Sequence, residues 1–231
     1  MDIVIENVAK EYRPAGFSAL KDVSLNIRPG EWVFLVGASG MGKTTLLKLL
    51  YKEEIPDRGR VLVGGEDVAK ISGSRLRRGM GIVFQSFRLL PRKTAHENIA
   101  YGAEVLGVAP SEVRRRTLEI LELVGLKDKG SRLPSELSGG EQQRIAVGRS
   151  LINQPKLLIA DEPTGDLDPA NSEIVLKIFE NVHRERNTTI LFATHAVEIV
   201  DRMQKRVVRL EHGRVVRDEI GGYWAMEGTG T

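Results

Sequence analysis

Three short strings in this chain carry residue types that handle phosphate and water. The first, Gly37-Ala38-Ser39-Gly40-Met41-Gly42-Lys43-Thr44, has the spacing G-x-x-x-x-G-K-[ST]. Glycines there let successive backbone N–H groups turn inward with no Cβ in the way, and a helix starting at the end of the string adds its positive potential. Gly37, Ser39, Gly40, Gly42, Lys43, Thr44 and Thr45 are the candidate phosphate contacts. Lys43 is long enough to reach β- and γ-phosphates, and the Thr44 hydroxyl is placed to ligate Mg²⁺. The second string, Leu157-Leu158-Ile159-Ala160-Asp161-Glu162-Pro163, is an apolar run ending in two carboxylates. Neighbours on a strand point to opposite sides, so the two acids need not share a task. Asp161 suits the Mg²⁺ shell, and Glu162 is the candidate to orient or deprotonate an attacking water. The third string, Leu137-Ser138-Gly139-Gly140-Glu141-Gln142-Gln143, has the S-x-x-E spacing of a helix cap. Ser138, Gly139 and Gly140 would form a second helix N-terminus with open N–H groups and a hydroxyl for an anion.

The elements that must hold these strings are legible from apolar periodicity. Trp32–Val36 is a continuous apolar run before the phosphate loop, and Thr45–Tyr51 after it is helical, so the context is strand, loop, helix. Ile3 and Ile5, then Val23, Leu25 and Ile27, alternate with polar residues and predict half-buried strands. Gly64-Gly65 predicts a hairpin, and so does His212-Gly213. From about Leu89 to Asn153 the period becomes helical. Pro110 opens one segment with Val113, Thr117, Ile120, Leu121 and Val124 on a single face, and Gly125 stops it. Strands return at Leu157–Asp161, Thr189–Thr194 and Arg206–Leu210, with a helix predicted over Asn171–Val182. Strand–helix–strand at this spacing implies right-handed crossovers and a parallel sheet. Ligands of such sheets sit beyond the carboxyl ends of the strands, where Asp161 and Glu162 fall. Residues Gly221–Thr231, rich in glycine and threonine, read as loose.

Composition removes several function classes. With 231 residues the chain can bury about 70–75% of its unfolded surface, enough to fold without disulfide or structural metal. It contains no cysteine, which excludes thiol nucleophiles, zinc knuckles and iron–sulfur ligation and fits a reducing compartment. No apolar run approaches the length of a membrane span, and the opening Met1-Asp2-Ile3-Val4-Ile5-Glu6 lacks the pattern of a secretory leader, so a soluble protein is expected. Net charge is +3, and the basic clusters Arg75–Arg78 and Arg114-Arg115-Arg116 read as solvated helix faces. Aromatics make up 5% and do not interleave with those bases, so no nucleic-acid partner is expected.

The phosphate loop, LSGGEQQ and LLIADEP, in this order, resemble the nucleotide-binding subunits of the ABC ATPases, over residues 1–222. The resemblance implies an α/β fold: a RecA-like parallel-sheet P-loop core with an N-terminal antiparallel β subdomain and an inserted α-helical subdomain. The boundaries it implies are 1–86 and 154–222 for the β subdomain and core, 87–153 for the helical subdomain, and 223–231 as a flexible tail. It also gives roles to residues that are uninformative alone. Tyr12 matches the aromatic that stacks on adenine, Gln85 the glutamine that links Mg²⁺ and attacking water to the helical subdomain, and His195 the histidine that contacts the γ-phosphate. Gly165-Asp166-Leu167-Asp168 matches the D-loop. Two positions depart from the pattern: Met41 inside the phosphate loop, and Asp166 where asparagine is frequent.

A chain of this kind is a Mg²⁺-dependent ATPase, so the resemblance implies ATP and Mg²⁺ as cofactors. Catalytic roles fall to Glu162, His195 and Gln85, and metal contacts to Thr44, Gln85 and Asp161. Two copies would pack head to tail with each ATP between one copy's phosphate loop and the other's Ser138–Gly140. Within the family, the stretches Leu46–Glu54, Phe84–Pro91, Ile199–Arg202 and Arg214–Glu219 are similar to the bacterial cell-division branch. That likeness implies an integral membrane partner, a peripheral place on the cytoplasmic face of the membrane, and indirect contact with the division machinery. Phe87, Leu89 and Leu90 form either an apolar groove for that partner or local core. The alternative is the ATPase subunit of a lipoprotein-release or macrolide-type exporter. A soluble ABC protein acting on nucleic acid would carry two cassettes or a long coiled-coil insertion, and this chain has neither. A nucleotide-binding scaffold without turnover would not need Lys43, Asp161, Glu162 and His195 together.

Overall fold

The computed structural model describes residues 1–12 and 16–224. Strands Ile3–Tyr12 (β1), Phe17–Ile27 (β2) and Trp32–Val36 (β3) lead into helix Lys43–Leu50 (α1). Strands Arg58–Val63 (β4) and Glu66–Asp67 (β5), the short helix Gly73–Arg77 (α2) and strand Met80–Val83 (β6) follow. Then come helices Ala95–Glu104 (α3), Pro110–Leu123 (α4) and Gly139–Leu151 (α5), strand Leu157–Asp161 (β7) and helix Pro169–Arg186 (α6). The chain continues through strand Thr189–Ala193 (β8), helix Val197–Met203 (α7), and strands Arg206–Glu211 (β9) and Arg214–Ile220 (β10). Two compact units form: Met1–Leu76 with the chain from Ile190 on, and Arg77–Thr189.

In the first unit an antiparallel sheet runs β2-β1-β4-β5, with Ile3, Ile5, Val8, Val23, Leu25 and Ile27 turned inward. The alternation predicted at Ile3–Ile5 and Val23–Ile27 is part of longer strands, because bulges between Ile5 and Glu11 let pairing continue past the break in pattern. A second, mostly parallel sheet runs β10-β9-β3-β8. Every residue of β3 is buried, as its unbroken apolar run predicts for a strand covered on both faces. Phe34 lies edge-on to Phe192 of β8 with ring centroids 5.4 Å apart, and Trp32 stacks on the same ring at 6.2 Å. The hairpins at Gly64-Gly65 and His212-Gly213 are present.

The second unit holds β6 parallel to β7, in register from Met80–Leu157 to Val83–Ala160, with helices α3 to α6. Pro110 starts α4, and Val113, Thr117, Ile120 and Leu121 form its buried face as predicted. Arg115 and Arg116 pair with Glu112 on the solvated side, and Arg115 also with Glu119. Helix α6 is longer than its apolar stripe suggested, because Asp168 caps it and Pro169 occupies the first turn. Helix α3 is opened by a Thr94–Glu97 capping box: Glu97 N–H donates to Thr94 Oγ1 and Thr94 N–H to Glu97 Oε2.

Of the stretch read as loose, Gly221 N–H donates to Lys205 O, Tyr223 N–H donates to an Asp201 carboxylate oxygen, and Arg217 donates to the carbonyls of Gly222 and Tyr223. Residues 225–231, the rest of the expected tail, lie outside the described residues. No helix among the described residues is long and apolar enough to cross a membrane.

Candidate functional site

The phosphate loop lies in the first unit, between β3 and α1. Two of its glycines are dictated by close approach. Gly37 has φ +145°, and a Cβ there would stand 2.4 Å from Leu210 O; at Gly42, φ +103°, it would stand 2.5 Å from Ala19 O. Any side chain at either place would push the loop off the strands beneath it. Lys43 is buried, and its Nζ donates to Gly37 O at 2.6 Å and to Ala38 O at 3.3 Å. The ammonium is therefore held over the loop, at the N-terminal end of α1. Ser39, Gly40 and Thr44 are exposed, and Thr45 is half-buried. Met41, the departure from the family pattern, reaches sideways: its Sδ accepts a hydrogen bond from His212 N–H at 3.2 Å, tying the loop to the β9–β10 turn.

Two other predicted residues join the loop in this unit. Tyr12 Oη lies 3.4 Å from Thr45 Oγ1, which places the half-buried ring near the start of α1, and Lys10 Nζ sits 5.7 Å from the ring centroid. His195 is exposed just beyond β8. Thr194, immediately before it, donates its N–H to Leu35 O of β3 and accepts from Ala196 N–H on its hydroxyl. His195 and Gly37 thus leave adjacent parallel strands at the same end, where phosphate chemistry on such sheets occurs.

The remaining candidates lie in the second unit. Asp161 ends β7 half-buried, while Glu162 is 9% exposed with a left-handed backbone, φ 48°. The strand thus ends at Asp161, and the chain turns at Glu162. Gln85 is exposed two residues past the end of β6, the strand that pairs with β7, so it and the carboxylates share one strand-end edge. Ser138 caps α5: Glu141 N–H donates to its Oγ at 3.3 Å, and Ser138 N–H donates to Glu141 Oε2 at 2.9 Å. Ser138 and Gly139 are exposed and Gly140 is buried. The bond from Lys129, then that from Ser138 N–H, hold the Glu141 carboxyl below its usual range.

Sequence reasoning missed the side chains that tie these pieces together. Gln143, buried within α5, donates through Nε2 to Pro163 O at 2.7 Å, so α5 holds the turn that carries Glu162. Asn171 in the first turn of α6 bonds both Asp168 carboxylate oxygens, by its backbone N–H at 2.9 Å and its Nδ2 at 2.6 Å, and packs against Gly140. No spacing rule marks such contacts; only the capping aspartate at Asp168, just ahead of Pro169, gave a local signal.

Among the described residues no three His, Cys, Asp or Glu side chains gather into a metal cage. Of the residues expected to hold Mg²⁺, the first unit carries the Thr44 hydroxyl and the second the Gln85 amide oxygen and the Asp161 carboxylate. Each is a hard oxygen donor of the type that Mg²⁺ takes.

Comparison with known proteins settles the family. The family model described as ABC transporter matches residues 20–165, which include the phosphate loop, the Ser138 cap and the carboxylate pair. The chain belongs to the ABC transporter ATPase family. It is an ATP-hydrolysing enzyme. The chain is 48% identical to the cell division ATP-binding protein FtsE of Bacillus subtilis, across 95% of this chain and 97% of that protein. It is 46% identical to FtsE of Mycobacterium tuberculosis, across 98% and 100%. The methionine import ATP-binding protein MetN of Caulobacter vibrioides is 42% identical, but the match spans 66% of that protein. Among solved structures, a dimeric post-hydrolysis state of the ATP-binding cassette MJ0796 bound to ADP and Pi superposes with a TM-score of 0.86 at 33% identity, covering 94% of this chain and 98% of that one. The parallel-sheet P-loop core with an antiparallel β subdomain is therefore the fold expected from the motifs.

Proposed function

We propose that this chain is the ATP-binding and hydrolysing subunit of a cell-division complex of the FtsE–FtsX type, in which ATP-driven dimerisation signals through an integral membrane partner to activate cell-wall hydrolases. Residues 1–222 act as one nucleotide-binding domain, with 87–153 as its helical subdomain. The observation that carries the hydrolytic part is the buried Glu162 beside Asp161 at the exit of β7. A carboxylate withdrawn from bulk water is suited to take a proton from an attacking water.

Each remaining candidate has a role suited to where it lies. Tyr12 stacks on the adenine ring. Gly37, Ser39, Gly40, Gly42, Lys43, Thr44 and Thr45 bind the phosphates, with the Lys43 ammonium already held above the loop. Thr44, Gln85 and Asp161 hold Mg²⁺, which when bound neutralises charge on the β- and γ-phosphate oxygens. His195 contacts the γ-phosphate, and Gln85 reports its presence to the helical subdomain. One chain carries two helix N-termini suited to anions, at α1 and at α5, so two copies about a twofold axis make two composite sites. Each ATP then lies between one copy's phosphate loop and the other's Ser138, Gly139 and Gly140. The dimeric MJ0796 cassette supports this assembly.

Near-full-length similarity to FtsE, against a match to only two thirds of MetN, favours the division complex over an importer subunit. The second unit offers a surface for the membrane partner: a cleft of about 720 Å³ on α3 and α4, lined by His96, Ala100, Val108, Val113 and Leu118. Phe87, Leu89 and Leu90 are half-buried on the same unit. Docking there would hold the chain peripherally on the cytoplasmic face of the membrane.

The test is Glu162→Gln, followed by ATP binding, phosphate release and sedimentation. The variant should bind ATP, lose at least about a hundredfold in turnover, and accumulate as a dimer. Lys43→Ala should abolish binding and dimer together. A Glu162→Gln chain that remains monomeric at saturating ATP refutes the composite site.

A further inference from the structure

Helix α5 grips two loops. Near its start, Gln143 holds Pro163 O beyond Glu162. Two turns on, Arg149 reaches the segment after β6: its Nη1 donates to Arg88 O at 2.7 Å and its Nη2 to Phe87 O at 3.0 Å. These carbonyls lie two and three residues beyond Gln85. Arg149 is half-buried, and burial pushes the pKa of its guanidinium down. A cation in such a place is costly unless its donors are used, and here two go to one stretch of backbone. That backbone needs holding. Arg88 has a left-handed φ of 48°, and its own guanidinium lies 3.8 Å from the Phe84 ring centroid, so the chain doubles back across residues 84–88. Further on, Asn98 closes the far end: Leu90 N–H donates to its Oδ1, and its Nδ2 donates to the carbonyls of Leu90, Lys93 and Thr94. The bend is pinned on its C-terminal side at Phe87, Arg88 and Leu90, while Gln85 and Ser86 stay exposed.

We propose that Arg149 is a positioning residue for Gln85: by holding the Phe87 and Arg88 carbonyls it fixes where the glutamine amide is presented, and it couples that amide to the helix that Ser138 caps. This rests on the reading of Gln85 as a Mg²⁺ ligand. A planar fork holds two carbonyls at a fixed angle in one plane, whereas the rotatable donors of an ammonium on a flexible stem reach carbonyls without fixing that plane. Arg149→Lys should therefore keep the charge and the packing while loosening the bend.

The test measures affinity for a fluorescent non-hydrolysable ATP analogue with Mg²⁺ and with EDTA, alongside turnover and thermal unfolding, in the full chain. The variants are Arg149→Lys, Arg149→Ala, Gln85→Ala and the Gln85→Ala/Arg149→Lys double. Gln85→Ala should lose most of the tightening that Mg²⁺ confers. Arg149→Lys should lose about tenfold in that Mg²⁺-dependent tightening and in kcat, the scale on which residues behind a metal ligand act. Its affinity in EDTA and unfolding temperature should stay near the parent's. The double variant should match Gln85→Ala, because a residue that acts through Gln85 has nothing left to position. If Arg149→Ala does not fold, Arg149→Lys and the double variant still decide. An Arg149→Lys chain with parental Mg²⁺ tightening, or losses that add in the double variant, overturns the proposal alone. A Gln85→Ala chain that behaves as the parent overturns the role of Gln85 and this proposal with it.

Discussion

Gly140 and Asn171 offer a prediction whose sign should reverse with background. A methyl group on Gly140 would stand 2.3 Å from Asn171 Cγ, 2.4 Å from Oδ1 and 2.8 Å from Nδ2, all well inside contact distance. To admit it, the Asn171 amide must swing away and give up its 2.6 Å bond to Asp168 Oδ2. Replacing a glycine in the first turn of α5 by alanine gains about 0.5–1 kcal/mol of helix propensity. Overpacking costs about 1–3 kcal/mol. The lost bond to an exposed carboxylate costs about 0.5–1 kcal/mol more. Gly140→Ala should thus destabilise by about 1–3 kcal/mol. In an Asn171→Ala background the obstruction is gone and only propensity remains, so the same substitution should stabilise by about 0.5–1 kcal/mol. The coupling between the two sites is then about 1.5–4 kcal/mol. Urea unfolding of the parent, both single variants and the double variant measures it. With a slope near 3 kcal/mol/M, the midpoint should fall by roughly 0.3–1 M in one background and rise slightly in the other. A Gly140→Ala effect of the same sign and size in both backgrounds would show that Asn171 does not fill the space above this glycine.

Two further outcomes are expected. Glu141 has its carboxyl held below the ordinary value near 4.5 by Lys129 and by Ser138 N–H. Because the folded value is the lower one, its stabilising contribution is complete above about pH 4.5 and fades as pH falls through the folded value. Urea midpoints at pH 6 and pH 3.5 should therefore differ less in Glu141→Gln than in the parent, and an unchanged difference would count against this cap as an acid-sensitive contact. For the membrane partner, Phe87→Asp with Leu90→Asp should abolish recruitment to membranes carrying it while leaving ATP affinity intact; Leu118→Glu, at a position 48% exposed, repeats the test at little cost to folding. Loss of the fold in the first variant with full recruitment of the second would return Phe87 and Leu90 to core packing.

Much of this molecule was already written in its residue order. The unbroken run Trp32–Val36 became a strand buried on both faces, since no polar residue asks for water there. Pro110 and Gly125 bracketed α4 because one supplies a fixed φ and lacks an unneeded donor, while the other adopts φ +69° without a Cβ penalty. The phosphate loop and the Ser138 cap were readable for the same reason: their chemistry is local, set by which backbone groups a glycine or a hydroxyl leaves open over a few residues. Contacts made across long separations were not readable. Gln143 meets Pro163 twenty residues away, Arg149 meets Phe87 and Arg88 across about sixty, and Met41 meets His212 across 171. Nothing in a glutamine, an arginine or a methionine says which carbonyl or amide it will find. Gly140 is the sharpest case, since its spacing beside Ser138 marks an open helix end, whereas the Asn171 amide lying where a Cβ would be is decided only when α5 and α6 pack. Local rules choose the elements and the chemistry each can present; the packing of those elements chooses which side chains hold them in place.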